Sequence, residues 1–168
     1  MKSNSSHMME KTIISTKLNV VESGEQMKNF IYTLVDYIKQ LELAYPVYMG
    51  TFDDQESLIV KPTPGSSVIH SYMNGMMDVR LPFEISIKSK NQEEACRVLS
   101  DVMNHVQQLG NFLNEGSKDL LLDMMMDQIP TFTSKDDAGY FYYTSTLTVD
   151  LAVIPSSQNK QGESSKEK

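Results

Sequence analysis

The chain has 168 residues, 40% of them apolar and 22% charged, and a formal net charge of -7. That composition supplies one core of ordinary size and carries too little charge for a disordered polymer. Arg80 and Arg97 are the only arginines, which argues against a DNA-gripping surface, since phosphate binding needs clustered cations.

Cys96 stands alone, so neither an intramolecular disulfide nor a cysteine-based zinc site can form. No run of about 18 apolar residues is present and the amino terminus lacks a signal-peptide pattern. The expectation is synthesis in a reducing cytoplasm, with no membrane contact. Residues 1–8, Met1-Lys2-Ser3-Asn4-Ser5-Ser6-His7-Met8, read as an expression-vector leader, with the natural start at Met8 or Met9. A single domain is expected over residues 9–154.

Ser23-Gly24-Glu25-Gln26 has capping-box spacing and predicts a helix start. Met27, Phe30, Ile31, Leu34, Val35, Ile38 and Leu41 follow as one apolar stripe until Pro46 forbids continuation. Val47–Phe52 and Leu58–Lys61 read as two strands, with Asp53-Asp54-Gln55-Glu56 as a solvated hairpin tip between them. After the rigid Pro62-Thr63-Pro64-Gly65, a strand over Ser67–Tyr72 is expected to end in an Asn74-Gly75 hairpin turn.

The clearest strand runs from Asp78 to Lys88. Val79, Leu81, Phe83, Ile85 and Ile87 face one way, against Asp78, Arg80, Glu84, Ser86 and Lys88. Pro82 removes a ladder donor and predicts a local edge or bulge there. Asn91-Gln92-Glu93-Glu94 starts a second helix, whose stripe is Ala95, Val98, Leu99, Val102, Met103, Val106 and Leu109, with Gly110 as the expected stop.

Leu120–Ile129 is ambiguous between helix and strand and is read as a strand. Asp136-Asp137-Ala138-Gly139 then turns into a long half-solvated strand over Tyr140–Ile154. Residues 155–168 have no apolar content and are expected to be disordered. Together these elements predict an α+β fold, an antiparallel or mixed sheet with both helices packed on one face.

No catalytic residue, cofactor site or metal site emerges. His70 and His105 lack ligand spacing and receive ordinary surface or boundary roles. Asp53, Asp54 and Glu56 lack the alternating oxygen pattern of a calcium loop, and Cys96 on a helix reads as a small apolar residue. Met124-Met125-Met126 cannot all point inward from a strand, so core filling and an adaptable contact surface stay open for them. Asp53, Asp54, Glu56, Met124, Met125, Met126, Asp136 and Asp137 are therefore the candidate interface or lumen residues.

Ser71-Tyr72-Met73-Asn74-Gly75, followed by Leu81-Pro82-Phe83-Glu84-Ile85-Ser86-Ile87 and the helix start Lys90-Asn91-Gln92-Glu93-Glu94-Ala95, resembles the minor capsid or tail-terminator family of phages of Gram-positive bacteria. Gly139-Tyr140-Phe141-Tyr142-Tyr143 is similar to a late strand of that family, and the likeness spans roughly residues 26–153 in element order. The resemblance implies a non-enzymatic virion protein that assembles as a hexameric ring. Its implied partners are the tail-tube protein and the head connector, with no specific nucleic-acid binding. The alternative is a small cytosolic α+β enzyme or ligand-binding domain whose site residues are too dispersed to see.

Overall fold

The computed structural model describes residues 23–116 and 121–153; the expected leader and polar tail lie outside them. The elements are α1 (Ser23–Lys39), β1 (Val47–Met49), β2 (Ser57–Pro62), β3 (Ser67–Ser71), β4 (Met77–Ser89), α2 (Gln92–Gly116), β5 (Leu121–Lys135) and β6 (Phe141–Val153). They form an α+β fold around a mixed six-stranded sheet of order β1-β2-β4-β6-β5, with β3 beside β4.

The predicted stripes are the buried faces. Phe30, Leu34, Val35 and Ile38 of α1 join Ala95, Val98, Leu99, Val102, Met103, Val106 and Leu109 of α2 in one core cluster. The strands contribute to it Leu58, Val60, alternate residues of β4 from Val79 to Ile87, and Leu147, Val149, Leu151 and Val153. Each such large side chain contributes about 1.5–3 kcal/mol of burial before entropy is subtracted. The rings of Phe30 and Phe83 lie 5.8 Å apart, tying α1 to the centre of β4.

α1 begins at Ser23 as expected, although the capping-box side chains fall outside those described. It ends at Lys39, earlier than the stripe to Leu41 suggested. Three-residue turns over Gln40–Glu42 follow, and Glu42 takes a positive φ of 51°. At the start of α2, the Asn91 Oδ1 accepts the Glu94 N–H at 3.2 Å, as a helix cap should. The Asn91 N–H is bonded by Ser89 Oγ at 3.1 Å.

Pro82 sits in the middle of β4, yet the expectation of a local edge holds. β2 ends opposite Phe83 and β3 begins opposite Arg80, so Pro82 faces the break between them. Its carbonyl accepts the Thr63 N–H at 2.9 Å, which directs the missing donor toward that same break.

Three readings change. First, Asp53–Glu56 is not a hairpin tip, because β1 is only Val47–Met49 and pairs with β2 in parallel, Val47 opposite Leu58. Gly50, at a φ of 96° that side chains rarely adopt, turns the chain away from the sheet plane. Residues 50–56 then return across the second face, where Phe52 meets Tyr142 edge-on at 5.3 Å. Ile59, Ser86 and Lys88 are consequently buried on the face that alternation alone would assign to solvent.

Second, Gly110 does not stop α2, which continues to Gly116. The glycine is there for clearance: a Cβ at position 110 would lie 2.9 Å from the Cβ of Met124. Third, β5 runs to Lys135, and most of it is exposed; register shifts interrupt its pairing with β6 at several points. A strand of this kind lacks the clean alternation of β4.

Candidate assembly surfaces

The two acidic segments, separate in sequence, meet at one end of the sheet. Lys88, near the end of β4 and only 8% exposed, donates through Nζ to the carbonyls of Asp53 at 3.0 Å and Asp54 at 2.9 Å. The same ammonium lies 4.4 Å from the centre of the Tyr140 ring, on the far hairpin, and Lys90 lies 5.0 Å from it. This buried cation therefore fastens the 50–56 segment beside the β5–β6 turn.

Several candidate carboxylates are used internally. Asp53 accepts from the Tyr48 hydroxyl and from the Asp54 N–H. Glu56 accepts from Ser89 Oγ at 2.8 Å and from the Lys90 N–H at 2.6 Å, and these bonds, the backbone one foremost, hold its carboxyl below the usual range. Asp136 accepts from the Tyr140 N–H and the Tyr142 hydroxyl, each at 2.8 Å. Burial pushes Asp136 up, but these bonds outweigh it and its carboxyl is lowered. Burial, then the bond to Asp136, pushes the Tyr142 phenol up to about 12. Asp54 and Asp137 are exposed.

The methionine run divides as a strand requires. Met124 and Met126, opposite Val149 and Leu147, are partly buried against the core, whereas Met125 is exposed. Both readings of the run are thus realised, on alternate residues. β5 also exposes Leu122, Ile129 and Phe132, with Ile129 71% accessible. Phe132, opposite Tyr143 and 5.7 Å from its ring, lies on the other face of the strand from Met125, which is opposite Thr148. The sequence reading missed this surface. Its available signals were Pro130, a residue confined to edges and bulges, and the polar stretch that follows it.

On the opposite side of β4 and β6, the β3–β4 hairpin exposes Val68, Ile69, Tyr72 and Met73. Its turn closes through the Gly75 N–H to the Tyr72 carbonyl and the Tyr72 N–H to the Met76 carbonyl, both at 2.9 Å. The Tyr72 hydroxyl donates to Asp78 at 2.6 Å, so the Tyr-x-x-Gly sequence shapes a projecting tip.

His70 is exposed 3.7 Å from the Asp78 carboxylate, and the exposed His105 places Nδ1 2.7 Å from the Asp101 carbonyl. Cys96 packs partly buried against the core. A shallow cleft beside it, about 440 Å³, is lined by Gln92, Glu93, Arg97 and Tyr143. Among the described residues no group of three or more His, Cys, Asp or Glu could hold a metal ion, and no helix is long and apolar enough to cross a membrane.

The family model described as bacteriophage tail terminator protein matches residues 17–153. The chain belongs to the bacteriophage tail terminator family. As a tail terminator it is a structural component of the phage tail, and the motifs that carried the resemblance prove to be fold-forming. Asn91 caps α2, Gln92 donates to the Tyr143 hydroxyl at 3.0 Å, and Ala95 is fully buried. No curated protein matches the chain.

Proposed function

We propose that this tail terminator caps the tail tube as a hexameric ring and joins it to the head connector, after assembly in the host cytoplasm. The observation that carries the reading is the pair of different apolar surfaces on opposite edges of one sheet. β5 exposes Met125, Ile129 and Phe132 on one edge, and the β3–β4 hairpin exposes Val68, Tyr72 and Met73 on the other. A closed ring is built from such unlike, head-to-tail contacts, whereas a two-fold dimer uses one surface twice. Ring contacts smaller than the about 800 Å² per partner of a standard stable interface would leave the free subunit monomeric, with the tube as template.

In this reading the acidic end, with Asp53, Asp54, Asp136 and Asp137, lines the passage. A wall of that sign repels phosphates and lets a genome slide, while a basic wall would hold it. The role needs no cofactor and no catalysis. Mixing the protein with assembled tail tubes should give a cap at one end only in electron micrographs. Failure to bind tube ends, or tight binding of bare duplex DNA at physiological salt, would remove the basis for the proposal.

A further inference from the structure

β5 pairs with β6 along one side, and among the described residues no strand pairs with its other side. A long edge that exposes apolar side chains is a ready template for another strand. Its charged residues along Leu122–Phe132 are the acids Asp123 and Asp127 alone, and its first lysine, Lys135, stands at its very end.

We infer that residues 11–21 of a neighbouring copy complete this edge as an added strand; the inference rests on the ring reading above. The segment Lys11-Thr12-Ile13-Ile14-Ser15-Thr16-Lys17-Leu18-Asn19-Val20-Val21 is rich in β-branched residues. It brings Lys11 and Lys17 to a strand whose exposed acids are Asp123 and Asp127. Charge selects it over a second β5, which would set those aspartates against their own copies. Apolar content selects it over residues 155–168, which hold no side chain able to cover Met125 or Ile129.

Position favours delivery to a neighbour. Residues 11–21 lead into α1, which packs against β1 and β2, the edge of the sheet opposite β5. Donor and acceptor on opposite edges give each subunit one of each, which is what a head-to-tail ring requires.

The test uses two full-length variants, both carrying Cys96→Ala, one with Ile14→Cys and the other with Ile129→Cys. They are mixed on tail tubes and treated with a short bis-maleimide. A cross-linked heterodimer is expected in the mixture. Adding Lys11→Glu and Lys17→Glu should reduce its yield about tenfold, because facing like charges oppose pairing. One-ended caps without any heterodimer would overturn the strand exchange while leaving the capping role intact. Cross-linking within a single dilute chain that carries both cysteines would also overturn it, by showing that the segment folds onto its own β5. A heterodimer without caps would sustain the exchange and remove the capping role, and the absence of both would remove both.

Discussion

Gly110 of α2 sits directly against Met124 of β5, at a separation where a Cβ on the helix would come within 2.9 Å of the methionine Cβ and 3.0 Å of its sulfur. The helix crosses the partly buried half of β5 at this point, so the contact fixes how closely the two elements approach.

Two effects therefore compete in Gly110→Ala. Alanine gains about 1 kcal/mol of helix propensity over glycine. Overpacking against a Cβ, which cannot rotate away, costs about 1–3 kcal/mol. The clash should win, and chemical denaturation should show a net loss of stability. A gain would contradict the close approach of α2 to β5 at this point.

Leu147, opposite Phe83 and 1% exposed, tests the register of β6. Leu147→Ala should cost about 2–5 kcal/mol, and Leu147→Asp should prevent folding. Thr146→Asp, on the half-exposed opposite face, should be mild. Similar losses in the Leu147 and Thr146 variants, measured by thermal unfolding, would contradict this register.

These elements were legible in the sequence for a physical reason. β4, β6 and both helices each present one face to a single core, so burial imposes a period of two or near 3.6 on their side chains. β5 has no such constraint: it is largely exposed, and its pairing shifts register between Met126 and Gln128 and again before Thr131. The parallel pairing of β1 was hidden as well, because strand direction leaves no mark on three residues. The acidic character of Asp53–Asp54 and Asp136–Asp137 could be read directly. Their meeting around Lys88 could not, since it depends on the 50–56 segment crossing the second face of the sheet.

Lys88 should be the fastening of that segment. Replacing it by Met keeps most of the buried stem but leaves the Asp53 and Asp54 carbonyls without the ammonium. Hydrogen bonds to a charged group contribute about 1.5–3 kcal/mol each, part of which water recovers once the segment opens. Hydrogen exchange in Lys88→Met should rise sharply across residues 50–56 and change little in the centre of β6. Unchanged protection of the segment would show that the Phe52 contact and the Glu56 and Asp53 hydrogen bonds hold it without Lys88.

Glu56 makes a pH prediction with a definite sign. Its carboxyl is lowered from 4.5 by the Lys90 N–H and then the Ser89 hydroxyl, so the folded state favours the ionised form. That contribution is fully present above the unfolded value and is lost as pH falls through the lower folded value. The melting temperature should therefore drop on acidification below 4.5. In Glu56→Gln the acid-side drop should be shallower and the neutral-pH stability lower. Identical acid slopes in the two proteins would rule out this clamp.

The methionine run separates folding from assembly within three consecutive residues. Met124 and Met126 pack against the core, so Met124→Lys or Met126→Lys places an ammonium against Val149 or Leu147 and should destabilise the subunit by several kcal/mol. Met125 is 50% exposed and Ile129 71% exposed, and surface changes of this kind usually alter stability by about 0.5 kcal/mol or less. Met125→Lys and Ile129→Lys should therefore melt like the parent protein. Both should nevertheless fail to cap tail tubes, because a lysine on an exposed edge is the standard barrier to strand addition. Normal capping by both folded variants, scored in micrographs against the parent protein, would show that the β5 edge takes no part in assembly.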